Sequence, residues 1–210
     1  MADASKYTDL ADYRRLVAEM YRRARQPDLS AEVRCERFRA ERDALFGAHP
    51  QSALSPEQKS AFHGLRYFDY DVSLRFGLPV DSEVDPVTWE VDLPEEGLMR
   101  LQRFGKIHFT LQAQPVTLTL FWVLGYGGGI FLPFRDATNQ NETYGGGRYL
   151  LDTIKGADLG REGDDLVIDF NFAYNPSCAY NFRWVCPLAP RENWLPVPMR
   201  AGEWAFPGAL

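Results

Sequence analysis

The chain has 210 residues, a formal net charge of −6 at pH 7, and 45% hydrophobic and 14% aromatic side chains. That length suits one domain with a sizeable core, and the many Phe, Tyr and Trp favour strands and aromatic-lined cavities over a helical bundle. With no basic stripe and no run of 18 apolar residues, the sequence excludes nucleic acid and a membrane as expected partners.

The first residues carry no apolar signal segment, and three cysteines do not suit a secreted disulfide scaffold, so a cytoplasmic location is expected. Residues 51–97 hold 3 basic and 10 acidic side chains, whereas the flanking regions are near balance. The acidity therefore reads as one solvated face. The sequence sets no oligomeric state.

In chain order, residues 5–25 predict a helix, with Leu10, Tyr13, Leu16, Val17, Met20 and Tyr21 at helical spacing. Ser30 is a good N-cap for a second helix to about Phe46, with Val33, Phe38, Leu45 and Phe46 near one face. Arg37, Arg39, Glu41, Arg42 and Asp43 crowd that helix; most read as solvated pairs, and one reaches the β-structure to plug a polar pocket. The string Ser55-Pro-Glu-Gln58 has the form of a capping box with Pro at N1, and predicts a short third helix ending near Gly64.

Beyond Gly64 the pattern changes to strands: residues 65–70, 88–93, 106–111, 116–124, 130–134 and 166–172. A hairpin turn is expected over Gln112–Pro115. The last strand puts Leu166, Ile168, Phe170 and Phe172 on one face and Asp169 and Asn171 on the other, inside or outside. The Pro-rich C-terminal stretch reads as an extended wrap. Together these give an α+β fold: an antiparallel β-barrel or roll (residues 64–210) with two or three N-terminal helices (residues 1–63) packed on it.

Two polar, Gly- and aromatic-rich stretches, residues 134–149 and 169–187, are too unusual for ordinary turns. Residues 125–129 and 145–147 are glycine-rich, but neither fits a phosphate-loop or dinucleotide fingerprint. Arg135, Thr143, Tyr144, Arg148 and Tyr149 surround the second, a combination that holds a carboxylate or phosphate. The alternative is an internal Arg135–Asp136 or Arg148–Asp169 ion pair. Asn171, Tyr174 and Asn175 extend the polar set, and Asp169 and Asp136 are the candidate general bases. Cys178 and Cys186 lie outside the Cys-x-x-Cys spacing: they are free thiols, a disulfide or redox pair, or two metal ligands joined by His63 or His108. Cys35 reads as core. No metal site and no cofactor is predicted.

The strings at residues 131–139, 142–150 and 169–181, with Cys186-Pro-Leu, resemble a bacterial and archaeal domain-of-unknown-function family, number sixteen-eighty-four. Residues 41–46, 54–58 and 64–68 extend the resemblance to about residues 30–203. Where that family has Asn-Gly, this chain has Asn139-Gln140. The resemblance implies a shared ligand at the two polar stretches and no particular reaction. The expected function is a small-molecule-binding domain for a small anionic molecule. The alternatives are a cofactor-independent hydrolase or lyase, and a structural or interaction module.

Overall fold

The computed structural model describes residues 4–93 and 97–207. The helices α1 (Ser5–Ala24), α2 (Ala31–Ala48) and α3 (Pro56–Ser60) precede eight strands. These are β1 (Arg75–Leu78), β2 (Thr88–Leu93), β3 (Gly97–Leu111), β4 (Gln114–Leu124), β5 (Gly129–Phe134), β6 (Arg148–Asp152), β7 (Arg161–Glu162) and β8 (Asp165–Asp169). Two antiparallel sheets result, one in the order β2-β3-β4-β5-β6 and one in the order β1-β8-β7. The α+β class stands; among the described residues the strands form two sheets rather than a closed barrel.

Helix starts follow the caps. The Ser30 side chain accepts the Val33 N–H, and Ser55 and Gln58 form the reciprocal capping box. On α2 the buried stripe is Cys35, Phe38, Arg42, Leu45 and Phe46, with Val33 left exposed. Tyr13, Leu16, Val17, Met20, Tyr21 and Ala24 of α1 and Cys35, Phe38 and Leu45 of α2 pack against Val167 and Phe172. The helices thus cover the small sheet.

The other face of that sheet meets the large sheet. Leu78, Ile107, Phe109, Leu118, Leu132, Phe134, Leu166 and Ile168 share one core there, closed by Leu195, Val197, Met199 and Ala201 of the C-terminal wrap. The register shifts between Arg103 and Gly105, so odd-numbered Leu101 faces one side of the large sheet and odd-numbered Ile107 the other. Gly105 is required at this bulge, since a Cβ there would lie 2.6 Å from Cγ1 of Val80. The β3–β4 turn is the pair Gln112 and Ala113, both at positive φ, as a two-residue primed turn demands. Gln114 and Pro115 already belong to β4.

Two strand expectations are corrected. Residues 65–70 contribute only an isolated bridge, Tyr67 with Glu203. The strand over 166–172 stops at Asp169, whose side chain accepts the Asn171 N–H and starts a 3-10 turn at Phe170–Phe172. Strands β1, β6 and β7 were unforeseen. No described helix is long and apolar enough to cross a membrane.

Candidate functional site

Glu203 sits where three chain segments meet. Its N–H donates to the Ala173 carbonyl, the Phe68 N–H donates to the Gly202 carbonyl, and the Trp204 N–H donates to the Arg66 carbonyl. Gly202 makes the approach possible: its φ is +71°, and a Cβ there would lie 2.4 Å from the Ala173 oxygen. The Glu203 carboxylate, 1% exposed, is thereby fixed under α2. Arg42 Nε donates to its Oε1 at 2.5 Å, while the Asn175 N–H (2.9 Å) and the Tyr180 hydroxyl donate to Oε2. The Arg42 guanidinium also lies over the Phe46 and Tyr174 rings.

The electrostatics follow from burial. Desolvation opposes the Arg42 charge, but Glu203 beside it reverses that, and its pKa lies well above the ordinary value. Burial first, then the Glu203 charge, push the Tyr180 and Tyr67 hydroxyls far up, so both remain protonated donors. The Tyr67 hydroxyl is buried with no hydrogen-bond partner.

A cavity of about 380 Å³ opens over this cluster. Phe62, Leu65, Trp204 and Phe206 supply apolar walls, Asn175, Tyr180 and Glu203 the polar lining, and exposed His63 and Arg66 lie on it too. Arg66 stacks on Trp204, its guanidinium carbon 4.7 Å from the ring centre. Asn175 is 2% exposed; its Nδ2 donates to the Trp204 carbonyl at 2.7 Å, which fixes the amide orientation. Its Oδ1 is left buried with no partner. Such a volume and such a lining suit a small organic molecule.

The two polar stretches meet and largely satisfy each other. Tyr149 and Tyr174 form an antiparallel bridge, the Tyr149 hydroxyl donates to the Pro187 carbonyl, and the Tyr144 hydroxyl lies 3.6 Å from Cys178 Sγ. Arg148 has no exposed surface and pairs with Asp136 at 2.9 Å, rather than with Asp169. Its Nη2 also donates to the Met199 carbonyl and its Nη1 to the Ala201 and Glu203 carbonyls, while its Nε is buried without a partner. Asp136 accepts in addition from the Thr138 N–H, the Thr138 hydroxyl and the Met199 N–H. This buried pair staples the C-terminal wrap to β6. Thr143 is enclosed with Thr138 and Asn139, and Arg135 stacks on Trp194. Residues 125–128 form the turn between β4 and β5, and a Cβ on Gly125 or Gly127 would meet nothing within 4 Å.

Asp169 lies elsewhere. Its Oδ1 accepts from the Asn171 backbone and side-chain amides, and Asn171 grips the Asp71 backbone through both amide atoms. Burial raises the Asp169 pKa. It borders a cavity of about 90 Å³ with Arg25, Arg34, Arg75 and Arg161, well below the volume of an ordinary substrate pocket. Of the expected site residues, only Asn175 lines the larger cavity, with Tyr174 behind it under Arg42. Glu203 was missed as a site residue; Arg42 is the one of the charged α2 residues that reaches inward, and Tyr180 lies in the second polar stretch. The readable signal was Arg42, a lone charge within the apolar stripe of α2.

Fold and site together define an α+β protein of two packed antiparallel sheets with a largely apolar cavity beside its C-terminal wrap. The chain belongs to the family described as "Protein of unknown function (DUF1684)", whose model matches residues 60–204. A solved structure, the solution NMR structure of an uncharacterised protein of Haloarcula marismortui, is similar at 33% identity and a TM-score of 0.60. It covers 82% of this chain and 93% of its own. No curated protein matches.

Proposed function

We propose that this protein binds a small organic molecule in the cavity between residues 58–66 and 203–207. One observation carries the reading: Asn175 Oδ1 is buried without a partner in the lining of a cavity of about 380 Å³. A buried acceptor left unpaired costs about 1–3 kcal/mol, and a ligand N–H or O–H removes that cost. Phe62, Leu65, Trp204 and Phe206 favour an aromatic or branched apolar body. Arg66 and His63 favour an acidic group at the other end, which keeps the anionic ligand class but moves its grip from Arg148 to the cavity mouth. The Arg42–Glu203 pair acts from behind, holding Asn175 and Tyr180 in place through Glu203 Oε2.

Isothermal titration with benzamide, benzyl alcohol and phenylacetate tests this. Saturable binding of benzamide, weakened in Asn175→Ala and absent in a Leu65→Trp protein whose cavity is filled, is the expected result. Binding by none of the three, or binding that survives Leu65→Trp unchanged, refutes the assignment.

A further inference from the structure

Cys178 and Cys186 are brought together by a reversal of the chain. The Cys178 N–H donates to Cys186 Sγ at 3.3 Å, and the Tyr144 hydroxyl sits 3.6 Å from Cys178 Sγ. Both cysteines are half-buried free thiols, whereas Cys35 is sealed in the core against the Asn171 carbonyl. Between the pair runs a surface loop with Phe182 98% exposed and Arg183 also exposed, so small solutes reach the region.

We propose that Cys178 and Cys186 are a peroxide-reactive dithiol that closes to a reversible disulfide, independently of any ligand in the cavity. The Cys178 thiolate attacks one oxygen of hydrogen peroxide; the S–O bond forms, the O–O bond breaks, and the departing hydroxide takes a proton to become water. Cys178 is then a sulfenic acid, oxidised by two electrons. Cys186 sulfur attacks Cys178 sulfur; the S–S bond forms, the S–O bond breaks, and hydroxide leaves with the Cys186 proton as a second water. A dithiol reductant then restores the two thiols by thiol–disulfide exchange, through a mixed disulfide, and is itself oxidised to a disulfide.

The surroundings assign the roles. Hydrogen bonding from Cys186 lowers the Cys178 pKa to about 7 against the opposing effect of burial, with Tyr144 and the backbone N–H groups of Cys178 and Ala179 adding to it. Cys186 is pushed up, first by its bond to Cys178 and then by burial, and so resolves rather than attacks first. Burial raises Cys35 to about 12, which leaves it inert. The loop that closes carries Tyr180, which holds Glu203, and Trp184, which packs with Phe46 and Leu54.

The test is peroxide treatment of the full reduced chain, followed by tryptic mapping without reductant. Cleavage after Arg183 separates the two cysteines, so residues 162–183 and 184–191 stay joined only through a disulfide. The expected result is that linked pair, two hydrogens lighter than the free peptides, released by dithiothreitol, with Cys35 unmodified. In Cys186→Ser, dimedone should trap a sulfenic acid on Cys178. Unlinked peptides in the native chain, or oxidation falling on Cys35 first, overturns the proposal; so does a Cys186→Ser protein that dimedone leaves unlabelled.

Discussion

Replacing Glu203 with Gln keeps the volume and removes the charge that Arg42 faces. The Arg42 and Glu203 side chains are 8% and 1% exposed, so water does not replace the lost partner. The carboxylate accepts from Arg42, the Asn175 N–H and the Tyr180 hydroxyl. A glutamine offers one oxygen and turns an NH₂ towards at least one of these donors. Breaking a buried ion pair on one side costs about 3–5 kcal/mol. For a chain of this size each kcal/mol lowers the midpoint by about 2–4 °C, so Glu203→Gln should melt about 6–20 °C below the native protein. Urea unfolding followed by tryptophan fluorescence gives the same quantity at 25 °C. The double protein Arg42→Met/Glu203→Gln, with both charges gone, should recover about 2 kcal/mol or more of the summed single costs. A Glu203→Gln loss below about 1 kcal/mol, or strictly additive single costs, would refute a buried, mutually dependent pair.

Four further outcomes are expected. Arg148→Met, which strips the donors facing Asp136 and three carbonyls, should lose about 3–5 kcal/mol in urea unfolding or fail to accumulate folded; a native-like midpoint contradicts its place in the staple. Gly202→Ala, at φ +71° and against the Ala173 carbonyl, should cost more than about 1 kcal/mol by the same assay. Iodoacetamide should label Cys178 with a half-maximal rate near a pH of about 7, the thiolate forming as pH rises through that value, and Tyr144→Phe should move the midpoint upward; a midpoint unchanged in Tyr144→Phe would remove Tyr144 from the account. Closing the 178–186 loop should stabilise the oxidised chain by about 2.6 kcal/mol on the chain-entropy estimate, seen as a melting point higher by about 5–10 °C.

The helices were legible because their signals are local. Ser30 and the Ser55–Gln58 box mark starts within four residues, and the aromatic spacing in α1 marks a face. The second part of β3 (residues 106–111) and β4 were legible because Ile107, Phe109 and Leu111 alternate and residues 116–124 are rich in β-branched and aromatic side chains, whereas residues 97–105 of β3 were not predicted. Strand β1 was hidden by Gly77 within four residues, and β6 by being buried at all five positions, which erases alternation. The bulge at Gly105 reverses the facing of β3 through contact with Val80, a residue distant in sequence.

The site was less legible for the same reason. Arg148 beside glycines and hydroxyls has the chemistry of an anion grip, yet the anion it holds is Asp136 of the same chain, and its remaining partners are the backbone carbonyls of Met199, Ala201 and Glu203, which composition does not announce. Glu203 stands in a proline-rich tail with no motif around it, and becomes special only because Gly202 lets the tail press against Ala173. Asn175 was legible as an Asn-Pro feature; that its Oδ1 stays unpaired follows from Nδ2 being committed to the Trp204 carbonyl.

The most direct test of the ligand reading is an NMR titration of the isotope-labelled chain with benzamide, following the Asn175 side-chain amide and the Trp204 indole. Saturable shifts at Asn175, Trp204, Leu65 and Ala205, lost in Leu65→Trp and about tenfold weaker in affinity in Asn175→Ala, are the outcome the account predicts. Resonances of residues 58–66, 175 and 203–207 that stay fixed at millimolar benzamide, while shifts gather elsewhere or nowhere, would contradict it.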